Sequence, residues 1–122
     1  KKIIGVRDTI SGRRYSDIIE IAKDQIRKTY MSDEISLNTI AAEVGMSPSY
    51  FSSIFSKEMG KTFVEYLTEI RMDRAKELLM CSSMKTSEIG YEVGYKDPHY
   101  FSYIFKKTQN CTPKEFRARG KE

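Results

Sequence analysis

The chain has 122 residues, 39% of them hydrophobic, and a net charge of +4 from 21 Lys and Arg against 17 Asp and Glu. That length allows one domain, or two small ones sharing a core, and no apolar run approaches the roughly 18 residues of a membrane span. Two cysteines (Cys81 and Cys111) without metal-type spacing and one histidine (His99) exclude a disulfide scaffold and argue against a zinc site.

The opening KKIIGVRDTI carries neither a long apolar region nor a small-residue cleavage site and is not expected to act as a signal peptide. It does not begin with Met, and the chain is expected to be a fragment or a processed piece of a longer cytoplasmic protein with reduced cysteines. Strand signals are weak, apart from a short extended piece expected near Ile3–Val6. Asp17 with Glu20 predicts a capping box ahead of Ile18, Ile19, Ala22, Ile26 and Tyr30, an apolar series at helical spacing. Ser36 caps a predicted helix through Leu37, Ile40, Ala41 and Val44, closed by Gly45. Ser47-Pro48 starts the next, with proline at the first helical position, and Gly60 ends it. Thr62 with Glu65 opens the longest periodic stretch, to about Met80. Thr86 opens a short helix that Gly94 ends, Asp97-Pro98 opens one ending near Asn110, and Thr112-Pro113 with Glu115 starts the last. These signals predict an all-α fold of about seven helices with short connections.

The halves repeat. Ile40, Glu43, Val44 and Gly45 recur 49 residues later as Ile89, Glu92, Val93 and Gly94. Pro48, Tyr50, Phe51, Ser52, Ile54, Phe55 and Lys57 recur 50 residues later as Pro98, Tyr100, Phe101, Ser102, Ile104, Phe105 and Lys107. The caps Thr62 and Glu65 recur as Thr112 and Glu115. Two copies are too few for a solenoid. Each copy is a short helix ending in glycine, a tight turn and a strongly capped second helix, which is helix-turn-helix grammar. Phe51, Ile54 and Phe55, and likewise Phe101, Ile104 and Phe105, share one face of that second helix and are expected in the core. Ser49, Ser52, Ser53, Ser56 and Lys57 are left for the outside of the first copy, and His99, Ser102, Tyr103, Lys106 and Lys107 for that of the second. These groups can bond base edges and phosphates, and no carboxylate stands among them. Between Lys96 and Lys121 seven basic residues face two acidic ones, the kind of local excess that phosphate binding needs.

SLNTIAAEVGMSPSYFSSIFSKEMGKTFVEYLTEIRMDRAKELL together with IGYEVGYKDPHYFSYIFKKTQNCTPKEFR resembles the DNA-binding domain of the AraC/XylS family of bacterial transcription regulators. The resemblance covers about Tyr15 to Ala118, and its most specific parts are Gly94–Lys107 and Thr112–Arg117. It implies two helix-turn-helix subdomains, homeodomain-like three-helix units at 15–61 and 81–122, joined by a linker helix at 62–80. The recognition helices would enter adjacent major-groove segments, with centres about 34 Å apart as one turn of duplex requires. A rigid linker helix would then bend the DNA. RRYSDIIEIAKDQIRKTYMSDEISL resembles the version attached to response regulators of two-component systems. Residues 1–14 would be a linker or tail from an upstream receiver domain, with a ligand-sensing domain as the alternative. The resemblance further implies activation through contact with RNA polymerase, and an intact protein able to pair even where the fragment is a monomer.

Carried over residue by residue, the base-contact candidates are Ser49, Ser52, Ser53, His99, Ser102 and Tyr103. The phosphate-contact candidates are Ser47, Lys57, Arg71, Lys96, Lys106 and Lys107, with the helix starts at Leu37 and Thr86 as further anion cradles. Serine hydroxyls read bases ambiguously, so the first helix is expected to contribute little direct readout. Arg71 shares the apolar face of its helix with Leu67 and Ala75, which leaves open a partly buried ion pair with Glu43 or Glu92 beside the phosphate reading. Tyr50 and Tyr100 are expected to pack. The rival function is a helical protein-interaction or dimerisation module with degenerate DNA contacts. An enzyme is not expected, since no nucleophile–base pair, glycine-rich phosphate loop or paired carboxylates stand out. No cofactor or metal is called for.

Overall fold

A computed structural model describes the backbone of residues 3–120 and the side chains of residues 15–120. Its elements are helices α1 (Ile3–Thr29), α2 (Leu37–Glu43), α3 (Pro48–Met59), α4 (Phe63–Cys81), α5 (Thr86–Glu92), α6 (Pro98–Gln109) and α7 (Pro113–Gly120), with no strand among the described residues. No helix of the described residues is long and apolar enough to cross a membrane.

The backbone divides into two compact units. One comprises α1 to Lys28 with Glu34–Tyr66, and the other Thr29–Asp33 with the chain from Leu67 onward. The long helix α4 is therefore shared, with Phe63 and Tyr66 packing in the first unit and Leu67 onward grouped with the second. The short strap Thr29–Asp33 belongs to the second unit, although its position in the chain places it next to the first.

Most helix starts are where the side chains can cap them. Ser36 Oγ accepts the Thr39 N–H while Thr39 Oγ1 accepts the Ser36 N–H. Thr62 Oγ1 accepts the Glu65 N–H at 3.1 Å, and Glu65 Oε1 accepts the Thr62 N–H at 2.8 Å. Thr112 and Glu115 repeat this pair of bonds at 3.0 and 2.8 Å. Each cap satisfies donors that the helix leaves orphaned, worth about 1 kcal/mol. α3 and α6 both end in a left-handed residue, Gly60 at φ 72° and Asn110 at φ 65°, because a non-helical C-cap closes the last carbonyls.

Two expectations about α1 fail. Asp17 and Glu20 lie inside the helix and do not start it, and the backbone is helical from Ile3 where an extended piece was expected. Ile3, Val6 and Ile10 stand three and four apart, a spacing that a helix accepts as readily as the short apolar run suits a strand. The linker reading of residues 1–14 rests on side chains outside the described residues.

In the first unit Ile19, Ala22, Ile26, Ile40, Ala41, Phe51, Ile54, Phe55, Phe63 and Tyr66 are buried. In the second, Met72, Ala75, Leu79, Ile89, Val93, Phe101, Phe105 and Cys111 form one core, with Phe116 packed against it. The repeat extends into the ring contacts. Phe55 meets Tyr66 edge-on with centroids 5.6 Å apart, and fifty residues later Phe105 meets Phe116 edge-on at 5.7 Å.

Where α5 crosses α6 the contact leaves no room for a side chain. A Cβ on Gly90 would stand 2.8 Å from Cγ and Cδ2 of Phe101. The equivalent position in the first copy holds Ala41, fully buried. Gly90→Ala should therefore lower the urea midpoint of the chain. Overpacking costs about 1–3 kcal/mol, which outweighs the roughly 1 kcal/mol an alanine otherwise contributes to a helix. Ala41→Gly should cost roughly 1 kcal/mol through backbone entropy. A stabilised Gly90→Ala would disprove the tight crossing.

Candidate nucleic-acid interface

Each half sets one helix with its aromatic side inward. In α3 the Ser47 hydroxyl accepts the Tyr50 N–H at 3.3 Å, Pro48 occupies the first turn, and Phe51, Ile54 and Phe55 are buried. The opposite side then carries Ser49, Ser52, Ser53 and Ser56, which with Leu37 and Pro48 line a shallow open concavity. Lys57 is exposed beside them. Glu58, the one carboxylate of α3, is exposed in its last turn, on the side of the helix turned away from Ser49, Ser52, Ser53 and Ser56.

α6 starts with Asp97 Oδ1 accepting the His99 N–H at 2.9 Å and contains no carboxylate. Phe101 and Phe105 are wholly buried, while His99, Tyr103, Lys106 and Lys107 are exposed and Ser102 is half-buried. The Lys107 ammonium stands over the Tyr103 ring, 5.7 Å from its centroid, a cation–π distance. The base-contact candidates thus share the outer side of α3 and of α6 respectively, and Lys57, Lys106 and Lys107 lie at the C-terminal ends of those helices.

Tyr50 and Tyr100, expected to pack, are about half exposed, at 48% and 51%. Tyr50 meets Tyr15 ring-edge to ring and shares a short hydroxyl–hydroxyl bond with it, which raises the Tyr50 phenol above its ordinary pKa. Tyr100 lies between Tyr95 and Tyr103, with centroids 5.8 and 6.3 Å away.

Arg71 does not stand with the phosphate candidates. It is 8% exposed, its Nε donates to the Tyr30 carbonyl at 2.8 Å and an Nη donates to the Ser32 carbonyl at 2.9 Å. Its guanidinium also lies 4.8 Å from the Tyr95 ring centroid. The anticipated partners Glu43 and Glu92 are replaced by backbone oxygens, which the sequence pattern does not display. Gly94, at φ 115°, makes the site possible, since a Cβ there would sit 2.8 Å from both the guanidinium and the Tyr30 carbonyl.

Other candidates are already engaged. The Ser47 hydroxyl is held by its capping bond. Lys96 pairs with Asp33, whose carboxyl is held below its ordinary range chiefly by that bond. At the start of α2 Ser36 Oγ takes the Thr39 N–H, whereas at the start of α5 Glu88 Oε1 takes the Lys85 N–H and no side chain caps the first turn. Among the described residues no group of His, Cys, Asp and Glu could hold a metal ion.

A family model described as a helix-turn-helix domain matches residues 40–119. The C-terminal domain of AraT, a response regulator from Geobacillus stearothermophilus, superposes with a TM-score of 0.82 at 35% identity, covering 84% of each chain. An uncharacterized HTH-type transcriptional regulator in the cgkA 5′ region of Pseudoalteromonas carrageenovora is 36% identical over 100 residues, 82% of this chain and 58% of that protein. The arabinose operon regulatory protein of Escherichia coli (strain K12) is 34% identical over 94 residues, 73% of this chain and 32% of its own length. The chain thus spans between about a third and three fifths of the length of these curated relatives.

Arg71→Lys should separate structure from interface. One ammonium cannot span both carbonyls, so a buried acceptor is left unmet at a cost of about 1–3 kcal/mol in urea unfolding. Affinity for a random-sequence duplex under native conditions should not change. Weaker duplex binding at unchanged stability would return Arg71 to the phosphates.

Proposed function

The chain belongs to the AraC/XylS type of helix-turn-helix family, and from that membership we propose that it binds double-stranded DNA in a sequence-specific way as the output domain of a bacterial transcription regulator. The observation that carries this reading is the paired construction of α3 and α6. Each is capped, begins with proline, is anchored by two fully buried phenylalanines, and turns outward a face of hydroxyls, an imidazole or amines without a carboxylate. Such a face can approach phosphates without repulsion and place donors and acceptors against base edges.

In this reading each helix enters a major groove. Ser49, Ser52 and Ser53 on α3, and His99, Ser102 and Tyr103 on α6, face the bases, while Lys57, Lys106 and Lys107 meet phosphates. Lys96 can join them by exchanging Asp33 for a phosphate. Similarity to the C-terminal domain of a response regulator supports an upstream receiver domain, and the reading extends to a cytoplasmic location and to control of transcription through RNA polymerase. We assign the chain no enzymatic activity and no cofactor.

Selection of duplexes from a random pool at near-physiological salt tests the reading. Two enriched blocks are expected, one for each helix. A single block would make one helix a phosphate clamp, and no enrichment would put a protein-interaction module in its place. Replacing Lys106 and Lys107 together with alanine should weaken selected and random duplexes by about the same factor. It should also flatten the dependence of log affinity on log salt by about 2, since each phosphate contact releases about one counterion. An unchanged salt slope would remove both lysines from the interface.

A further inference from the structure

The second unit contains a stack that has no counterpart in the first. Arg71, fixed by the Tyr30 and Ser32 carbonyls, lies 4.8 Å from the centroid of Tyr95. Tyr95 is buried, and its ring is 5.9 Å from Phe101 in the core and 5.8 Å from Tyr100 on the surface. Tyr100 lies 6.3 Å from Tyr103, and Lys107 closes the far side of Tyr103 at 5.7 Å. All these separations fall in the range of favourable ring–ring and cation–ring contact. Two cations thus bracket three tyrosines that lead from the core to the solvent face of α6. At the matching places of the first copy stand Met46, Tyr50 and Ser53, so no such stack can form there.

Tyr103 is 57% exposed, and a side chain on an open helix face ordinarily samples several rotamers, a freedom it must give up on binding. We propose that Tyr95 and Tyr100 are positioning residues that hold Tyr103 in one rotamer before DNA arrives, and that Tyr103 is the specificity-determining side chain of the second recognition helix. The phenol suits the role, because its hydroxyl both donates and accepts while its ring lies against the groove wall. The chain would then read sequence more stringently with α6 than with α3. The inference rests on the DNA-binding reading above and adds to it which side chain reads and what holds that side chain in place.

Tyr100→Leu is the test, since Tyr100 is half exposed and its loss leaves the buried core intact, as an unchanged thermal midpoint will register. In the free protein, the Hα–Hβ couplings of Tyr103 should report one χ1 rotamer in wild type, rotamer averaging in Tyr100→Leu, and one rotamer again in Tyr100→Phe. In the random-pool selection, Tyr100→Leu should lose about tenfold of the base preference in the block read by α6. The block read by α3 and the affinity for random duplexes should persist. Tyr103→Ala should lose the same preference, and Tyr100→Phe should keep it. Averaged couplings in wild type, a full preference in Tyr100→Leu, or a Tyr100→Phe that fails like the leucine would each overturn the proposal. In those cases the α3 block still appears and DNA binding stands. Ordered Tyr103 couplings with no enriched block anywhere would instead overturn the DNA-binding reading, and the reading role of Tyr103 with it.

Discussion

The pair of phenylalanines four residues apart on α3, and its repeat on α6, is the constraint from which the rest follows. Phe51, Phe55, Phe101 and Phe105 have no exposure at all. Burying a ring of that size stabilises by about 1.5–3 kcal/mol, and truncating it would cost more. A helix advances by a fixed angle per residue, so pinning two side chains inward assigns every other position. Ser49, Ser52 and Ser53 face outward because Phe51 and Phe55 cannot. The same holds for His99, Ser102 and Tyr103. This is why the chain repeats itself. The buried phenylalanines and the caps recur together, down to the edge-on contact of Phe55 with Tyr66 and of Phe105 with Phe116. Among the outward residues Ser52 and Lys57 recur as Ser102 and Lys107, while Ser49, Ser53 and Ser56 give way to His99, Tyr103 and Lys106, positions on which the core places no demand.

Two arginines in the second unit perform a related task. A helix leaves its last carbonyls without partners, and an arginine fork is suited to close them. Arg71 takes the Tyr30 and Ser32 oxygens just after α1, and Arg117 takes the Leu79 and Ser82 oxygens at the end of α4, at 2.9 and 3.2 Å. At the 49-residue spacing of this part of the repeat Tyr30 corresponds to Leu79, while Ser32 corresponds to Cys81, next to the accepting Ser82, and the donors do not correspond at all. Arg71 sits in the middle of α4 and Arg117 in α7. Evolution of a two-copy chain can therefore preserve a structural need while meeting it from different places, and a comparison of the two halves finds only the need.

That distinction explains what the sequence disclosed. Caps and left-handed stops are local, involving residues two to five apart, and Ser36, Ser47, Thr62, Asp97 and Thr112 all stand at helix starts. Phe51, Ile54 and Phe55 were legible by spacing alone. Asp17 was misleading because a capping pair inside a helix has the same spelling as one at its start, and only the residues upstream decide. The burial of Arg71 is legible from the apolar face it shares with Leu67 and Ala75, but its partners are not, because its acceptors are backbone oxygens about forty residues away and carbonyls have no letter. Gly90 had a signal that spacing did not use, since the position opposite it in the first copy is alanine, and two small residues at matched places mark a close helix crossing. The stack of Tyr95, Tyr100 and Tyr103 lay outside any pattern. Its first member is in a turn and its others on a helix, so no single period links them.

The two outward faces also differ in the kind of physics they can use. α3 offers four serines, whose hydroxyls donate or accept without preference and reach only a short way. A face of that kind tolerates many base edges and leaves discrimination to bound water or to the shape of the groove. α6 offers an imidazole, a phenol held by neighbouring rings and two lysines at its last turn. On the proposed reading the lysines would supply attraction that any duplex feels, whereas a side chain with a fixed orientation can reject a wrong base edge, because a group that cannot move away must bear the lost bond. On the proposed reading, duplicating the fold would not duplicate the function. Two units with one interior would divide the work, the first fitting to the groove and the second discriminating within it, and the division would be set by which outward residues were left free to change.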